Sequence, residues 1–231
     1  MTAQLVKLQS APDLVERVYR ALIDAISEGS LSPGARLTQE EIAEQLAVSR
    51  QPVLQALRLL KKDGLVHDAP GRGVIVAPLD AAQIAQVYEV RGAIDALAAR
   101  LAARRRAVLD PALVEGGRRA ARGTDVKAMI EADIAFHSAI YEASGNPLIG
   151  ESARPHWVRL RRVMGASLQS VPRREAIWDE HAAIAAAIAA GEAERAAELV
   201  GRHAHHASDS LRTRLAADTP TTTNLPCKDC S

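Results

Sequence analysis

The sequence predicts a mainly α-helical protein, and three observations lead to that prediction. Of the 231 residues, 48% are hydrophobic and 25% are charged, which is the composition of a folded soluble chain. Only six residues are aromatic, so a large β-sandwich is disfavoured. Apolar residues recur at helical spacing along most of the chain. The length allows one large domain or two smaller ones.

Charge and composition exclude several classes of protein. The net charge of +1, from 29 basic and 28 acidic residues, gives no argument for a polyanionic partner of the whole chain. The longest apolar run, residues 182–190, is too short for the roughly 20 residues that cross a bilayer, and residues 1–10 lack the apolar core of a signal peptide. We therefore expect a cytoplasmic protein with no membrane partner. The two cysteines, Cys227 and Cys230, are expected to be free thiols.

The first 78 residues predict three helices and a hairpin. Apolar residues at helical spacing from Leu14 to Ile26 predict the first helix. Thr38 and Glu41 form a capping-box pattern that predicts the start of the second. A third helix begins after Ser49 and buries one apolar face. Two strand-like pieces then flank the turn at residues 70–73. This order predicts a winged helix-turn-helix over residues 1–78.

Residues 79–216 predict a bundle of six or seven antiparallel helices. The predicted helices include residues 80–106, one that begins at Asp110, residues 125–143, two through Trp157 and Ile184, and residues 192–216. Pro78 marks the domain boundary, and the polar residues 217–231 are expected to be a disordered tail.

One face of the third helix has the charge pattern of a DNA-reading helix. The stretch from Ser49 to Arg72 holds five basic and two acidic residues, a local net charge of +3, as contact with phosphates requires. Exposed charges on an isolated helix are usually only solvated, but the preceding turn and the following hairpin favour a role in binding double-stranded DNA. The expected DNA-contacting residues are Ser49, Arg50, Gln51, Leu54, Arg58, Gly71 and Arg72.

Four segments resemble the DNA-binding domain of GntR-family transcriptional regulators: LSPGARL at residues 31–37, EIAEQLAVSRQPV at 41–53, DGLV at 63–66 and GRGV at 71–74. The resemblance implies a transcriptional regulator that reads a DNA operator. Leu54 stands where the family usually has an arginine that contacts a base, so the operator sequence cannot be taken from relatives. A leucine can still contact a thymine methyl group.

Four residues of the second half have the types and spacing of metal ligands. Asp133 and His137 lie one helical turn apart, and His181 and His203 lie on two further helices at positions that can face inward. One carboxylate and three imidazoles suit Zn²⁺, Ni²⁺ or another divalent ion. On spacing alone, histidines that are buried and hydrogen-bonded in the core remain an equal alternative.

Residues 80–213 resemble the all-helical effector domain of the FadR-type branch of the same family, in the segments around Asp133, Ser144, His181 and His203. The resemblance implies that Asp133, His137, His181 and His203 hold a divalent metal ion. It also implies that Arg91 binds the carboxylate of an effector, with Asn146 as a second effector-binding residue. His205 and His206 are expected on the surface.

The leading hypothesis is a ligand-responsive transcriptional repressor, a homodimer and not an enzyme, whose effector is a small organic acid. One alternative is a metal-dependent enzyme with an added DNA-binding domain, although the sequence has no HExxH, nucleophile elbow or P-loop motif. The other is a metal-free bundle that binds an acyl chain, which would have no use for four ligand residues.

Overall fold

The structure, a computed structural model, describes residues 14–167 and 171–218 and confirms a mainly α-helical fold. The described part contains nine helices and three short strands. In the first 78 residues these are α1 (Leu14–Glu28), β1 (Arg36–Leu37), α2 (Gln39–Gln45), α3 (Arg50–Lys62), β2 (Val66–Asp68) and β3 (Val74–Val76). The remainder are α4 (Ala81–Arg104), α5 (Pro111–Arg122), α6 (Val126–Ser144), α7 (Pro147–Ser167), α8 (Val171–Ala190) and α9 (Ala193–Asp218).

The N-terminal part is a winged helix-turn-helix, as the sequence predicts, with one additional strand. The antiparallel sheet has the order β1-β3-β2, in which Leu37 pairs with Val74 and Val66 pairs with Val76. α1 packs on α3, and their buried apolar residues form a separate small core with Val76. The sheet closes one side of this core and presents the β2–β3 turn to solvent.

The C-terminal part is a bundle of six helices centred on α4, which makes its most extensive contact with α9. Both helices are rich in alanine, and Ala98, Ala99 and Ala102 of α4 are completely buried. A Cβ atom added to Gly92 would lie 3.4 Å from the Cβ of Ala204 on α9. Such short side chains let the two backbones approach closely, which explains how a chain with few aromatic residues builds a dense core.

α7 connects the bundle to the winged helix-turn-helix. A Cβ atom added to Gly165 would lie 1.8 Å from the carbonyl oxygen of Ser27 at the end of α1, so the two helices touch through backbone. Arg159 Nε donates a 3.2 Å hydrogen bond to the carbonyl of Asp63, and Arg162 donates to the carbonyl of Ala77. These contacts hold the two parts together on one side of the molecule.

The helix bounds lie close to the predicted ones, and the differences are small. α9 continues to Asp218, two residues into the predicted tail, while residues 219–231, with Cys227 and Cys230, lie outside the described residues, as does the N-terminal segment 1–13. Over the described ranges, no helix combines the length and the apolar character needed to span a bilayer.

Candidate functional site

The exposed face of α3 is built as the sequence predicts. Pro52, Val53, Ala56, Leu57 and Leu60 are buried against the small core. The opposite face leaves the predicted DNA-contacting residues at the surface: Ser49, Arg50, Gln51 and Arg58 are exposed, and Leu54 is half-buried. Ser49 occupies the N-cap position, but its side chain makes no capping hydrogen bond.

Two of the basic side chains on this face already have acidic partners. Arg50 forms an ion pair with Glu40 of α2, and Lys61 forms one with Asp68 of β2. All four side chains are more than half exposed, so these pairs add little stability. A phosphate or a base that binds Arg50 must displace Glu40.

The wing is held by Arg36, a residue that the sequence analysis did not single out. Arg36 Nη2 donates to the carbonyls of Pro70 (3.1 Å) and Arg72 (2.6 Å) at the tip of the wing. Gly73 has φ +92°, and a Cβ there would lie 2.4 Å from the carbonyl oxygen of Leu37. These contacts fix the backbone that carries the exposed residues Gly71 and Arg72. Arg36 belongs to the segment LSPGARL that resembles the family, but the sequence gives it no role. Its role in holding the wing becomes visible only when β1 pairs with β3.

The second site lies inside the bundle, where the structure brings together Asp133, His137, His181 and His203. Each of these buried residues offers one ligand atom, and the four atoms lie within 4.8 Å of one another. Asp133 Oδ1 is 3.4 Å from His181 Nε2, and Asp133 Oδ2 is 3.9 Å from His137 Nε2. Three helices, α6, α8 and α9, supply the set.

The environment favours the neutral form of two of the imidazoles and leaves their nitrogens without a hydrogen bond. Burial, together with the Arg91 guanidinium, holds the pKa of His137 below its ordinary value. Burial and then the neighbouring His203 and His137 hold the pKa of His181 well below it. Among the described residues, neither ring nitrogen of His137 or His181 has a hydrogen-bond partner. Four orphaned buried nitrogens are costly unless something else binds them.

Aromatic rings fix the positions of these imidazoles. Phe136 stacks on His181 with ring centroids 4.3 Å apart, and Trp178 meets the same ring edge-on at 4.6 Å. Trp157 of α7 lies 5.6 Å from His137. A Cβ atom added to Gly117 would lie 2.0 Å from the Trp178 ring, so the indole occupies space that a larger residue at position 117 would fill.

A buried ion-pair network lies beside the four residues. Arg91 Nε donates to Asp95 Oδ2 at 3.1 Å, and Arg91 Nη2 donates to Asp133 Oδ2 at 3.4 Å. Burial disfavours both charged forms, yet the attraction of Asp95 and Asp133 raises the pKa of Arg91, and contact with His137 and Arg91 holds the pKa of Asp95 below its ordinary value. The Arg91 guanidinium also lies 4.3 Å from the centre of the Trp157 ring. The sequence analysis missed Asp95, whose partners are Arg91 on its own helix and Tyr141 and His137 on α6.

Glu180 is a second residue that the sequence analysis did not assign to the site. Its side chain points from α8 towards α9, where it accepts hydrogen bonds from His203 Nδ1 at 2.7 Å and from His206 Nδ1 at 2.9 Å. Burial alone raises the pKa of Glu180, but these hydrogen bonds more than offset it and hold the pKa below its ordinary value. His205 and His206 are both more than half exposed.

Two cavities flank this region, and they separate the two predicted effector-binding residues. A small pocket of about 60 Å³ is lined by Arg91, Asp133, Glu180, His203 and His206, among others. A cavity of about 840 Å³ lies between the bundle and the winged helix-turn-helix, and Asn146 lines it. Asn146 Oδ1 accepts a 3.1 Å hydrogen bond from the backbone N–H of Leu148 at the start of α7. The structure therefore does not bring Asn146 together with Arg91.

Two family models match the chain and together cover most of it. Residues 14–76 match the gntR family of bacterial regulatory proteins, and residues 86–206 match the FCD domain. The gap between the matches, residues 77–85, covers the short connection before α4 and the first turn of that helix.

Relatives and solved structures agree with these matches. A helix-turn-helix regulator in the TAR-I ttuE-ttuC' intergenic region of Agrobacterium vitis is 39% identical over 90 residues, which are 39% of this chain and 53% of that one, so the match spans about half of that relative. The regulator McbR of Escherichia coli is 30% identical over 151 residues, 64% of this chain and 68% of McbR.

The solved structure of McbR/YncC from E. coli superimposes with a TM-score of 0.74 at 24% identity, covering 90% of this chain and all of that one, which supports the fold. A GntR regulator from Rhodococcus sp. RHA1 gives 0.69 at 28% identity, with 85% and 96% covered. The matching families and these relatives are transcriptional regulators, which sets aside the metal-dependent enzyme. The chain is a transcriptional regulator of the GntR family whose C-terminal part is an FCD domain.

Proposed function

We propose that the protein is a cytoplasmic, homodimeric repressor whose FCD domain binds a divalent metal ion, Zn²⁺ or Ni²⁺, and a small carboxylate effector. The observation that carries this proposal is the set of four buried ligand atoms within 4.8 Å of one another. The protein reads its operator with the start of α3 and with the wing. Effector binding in the FCD domain changes the affinity for that operator.

The residues present fit a metal ion. Asp133 supplies a carboxylate, and His137 and His181 supply buried neutral imidazoles whose nitrogens have no partner in the described part of the chain. Neutral imidazole is the form that binds divalent ions of the Zn²⁺ type. The alternative is that these residues are core histidines whose nitrogens are hydrogen-bonded. The lack of hydrogen bonds at His137 and His181 argues against it.

The charge of the site fits an anionic effector. Asp95 and Asp133 face one guanidinium, Arg91, so with neutral imidazoles the buried group has a net charge of −1. A bound divalent ion turns the charge of this buried group into +1. The Glu180 carboxylate, which lines the same pocket, reduces that charge, so the attraction for an effector carboxylate comes mainly from the ion and Arg91. Arg91 lines the small pocket next to the site and retains N–H groups beyond those that bind Asp95 and Asp133. The pocket volume of about 60 Å³ has room for only a few water molecules, so a hydroxy acid or dicarboxylate needs the pocket to widen.

Two features support operator binding by a homodimer. The α3 face and the wing tip are exposed and basic, and helix-turn-helix proteins read paired half-sites with paired recognition helices. Val90 and Leu97, two turns apart on α4, are 45% and 43% exposed and offer an apolar surface to a second copy.

Changing both Val90 and Leu97 to glutamate is expected to give monomers in analytical ultracentrifugation, and a parent chain that is itself monomeric would contradict the dimer.

Elemental analysis tests the metal site. Protein purified without a His-tag or chelator is expected to contain one divalent ion per chain, and His137→Ala and His181→Ala are each expected to lose it. His205→Ala is the matched control, because His205 lies on α9 with its side chain 74% exposed and faces Asp209. A parent chain without stoichiometric metal would refute the proposal.

Calorimetry with small carboxylates tests the effector. Heat of binding is expected with the metal-loaded parent and not with chelator-treated protein. Arg91→Ala is expected to abolish binding, but it also leaves Asp95 buried without its cationic partner, which destabilises the fold. Arg91→Lys is therefore the second variant. Lysine keeps the charge but not the forked geometry, and it is expected to bind the acid more weakly. Equal affinity in parent, stripped protein and Arg91→Lys would exclude this mechanism.

Mobility shifts on an operator selected from genomic DNA test the reading surface. Arg50→Ala is expected to abolish specific binding, whereas Arg72→Ala weakens binding to all sequences about equally. The control is Arg195→Ala, an exposed arginine of α9 in the FCD domain. If Arg50→Ala bound as tightly as Arg195→Ala, α3 would not be the reading helix.

A further inference from the structure

Glu180 occupies a position between a buried histidine of the candidate metal site and the protein surface. One carboxylate oxygen accepts from Nδ1 of His203, which is 5% exposed, and the other accepts from Nδ1 of His206, which is 53% exposed. The two histidines lie three residues apart on α9, so both face the same carboxylate. Glu180 is itself next to His181 in the sequence but points away from it, towards α9.

The hydrogen bond to Nδ1 has a consequence for the other nitrogen of the ring. A carboxylate accepts a hydrogen bond from Nδ1–H, and in a neutral imidazole with its proton on Nδ1 the free lone pair is on Nε2. Nε2 is consequently the nitrogen of His203 that is free to act as a ligand. Metal-bound histidines generally have such an outer partner, which fixes the tautomer and the direction of the ring.

The other two imidazoles are supported differently. Asp95 Oδ2 lies 3.3 Å from His137 Nδ1, but the pair is not aligned as a hydrogen bond and Asp95 also accepts from Tyr141 and Arg91. His181 is held by rings rather than by a polar group. Within residues 14–167 and 171–218, Glu180 is thus the carboxylate that makes a well-aligned hydrogen bond to a ligand imidazole.

We propose that Glu180 is a positioning residue that holds His203 in the Nδ1–H tautomer and aims its Nε2 at Asp133, His137 and His181. This inference rests on the proposed metal site. His206 steadies Glu180 from the solvent side, but the Glu180–His203 hydrogen bond does not depend on it. Loss of Glu180 leaves the four ligands in place and lowers their affinity for the ion.

Zn²⁺ affinity, measured by competition with a chelator, tests the proposal. Glu180→Ala is expected to weaken binding by about 10- to 100-fold, the usual effect of removing such a partner. Glu180→Gln keeps an acceptor for Nδ1–H and is expected to recover part of the loss, and His206→Ala is expected to change affinity little. Glu198→Ala, at an exposed position of α9, is the control. A Glu180→Ala affinity equal to that of Glu198→Ala would overturn the proposal.

The tautomer is a second measurement that needs no metal. Long-range ¹H–¹⁵N spectra of the metal-free protein at one fixed pH are expected to show His203 with its proton on Nδ1, and Glu180→Ala is expected to shift the proton to Nε2. An unchanged tautomer in that variant would overturn the positioning role even if metal binds. A parent that shows the Nδ1–H tautomer but binds no Zn²⁺ would refute the proposed metal site alone.

Discussion

The three tyrosines of the chain all lie in surroundings that favour the neutral phenol. Burial raises the pKa of Tyr88 to about 12. Burial raises the pKa of Tyr141 and Tyr19 further, helped by the negative carboxylates of Asp95 and Asp63, to which their hydroxyls donate. The folded chain thus keeps these protons at a pH where the unfolded chain, with phenol pKa values near about 10, releases them. Stability must fall as the pH rises above about 10.

Absorbance at alkaline pH checks this expectation. Native protein is expected to show almost no tyrosinate signal up to about pH 11, and the signal then appears together with unfolding, whereas denatured protein titrates near about pH 10. Tyr19→Phe is expected to reduce the alkaline loss of stability, because that side chain no longer has a proton to lose. Tyrosinate formation near pH 10 in a chain that keeps its circular dichroism spectrum would contradict the assignment.

Helix α2 begins at a capping box that the sequence predicts in full. Thr38 Oγ1 accepts from the backbone N–H of Glu41, and the Glu41 carboxylate accepts from the backbone N–H of Thr38 at 3.1 Å. Such a short helix has few hydrogen bonds of its own, so the cap determines where it starts. The position of α2 in turn determines where α3 meets DNA.

Two substitutions of Thr38 test whether its side-chain hydroxyl stabilises the start of α2. Thr38→Ala is expected to lower the free energy of unfolding by about 0.5–2 kcal/mol, since the N–H of Glu41 loses its acceptor. Thr38→Ser retains the hydroxyl and is expected to stay close to the parent. Urea denaturation measures both, and equal stability of the alanine and serine variants would show that the cap contributes nothing.

Local signals in the sequence explain which features could be predicted. Thr38 and Glu41, or Asp133 and His137, lie within one helical turn, so their spacing alone shows that they can meet. β1 was missed because two residues have no periodicity and their partner strand lies almost forty residues later. Glu180 was missed because its partners lie on another helix, and only packing decides which faces meet. Asp95 lies one turn from Arg91 on the same helix, but its contacts with Tyr141 and His137 of α6 likewise depend on packing. Asn146 lies in a segment that is typical of a turn. The hydrogen bond that it accepts is also local, because the donor is the backbone N–H of Leu148, two residues later.

Helix α7 is placed to transmit a change in the FCD domain to the DNA-binding domain. Trp157 on one face contacts Arg91 and His137 beside the candidate metal site. Arg159 and Arg162, about half a turn and more than a turn further on, bind backbone carbonyls near the winged helix-turn-helix. An effector that shifted α7 would move the contacts of Trp157 and those of Arg159 and Arg162 together. The free energy that couples two such sites is typically about 1–3 kcal/mol.

Gly165→Ala tests how closely α7 and α1 must fit. The added methyl group cannot be accommodated 1.8 Å from the Ser27 carbonyl, so the helices must separate. We expect a loss of about 1–3 kcal/mol in stability and faster proteolysis at residues 77–80, which join the two parts. Differential scanning calorimetry and limited proteolysis measure the two effects.

The control is Gly150→Ala in the same helix. There the nearest heavy atom, Tyr141 Cβ, would lie 3.9 Å away, which is an ordinary contact, and alanine favours a helix over glycine. Gly150→Ala is therefore expected to equal or exceed the parent in stability. If Gly165→Ala behaved like Gly150→Ala, the close backbone contact would not constrain the two parts.

The two tryptophans of the chain both lie against imidazoles of the candidate metal site, Trp178 at 4.6 Å from His181 and Trp157 at 5.6 Å from His137. Light emitted by an indole is sensitive to charge and to unpaired electrons in its immediate surroundings. The tryptophan fluorescence of this protein consequently arises from two indoles around one small volume inside the FCD domain. Tryptophan fluorescence therefore reports on the candidate metal site without an added label, and paramagnetic Ni²⁺ bound to the four ligand residues would quench it.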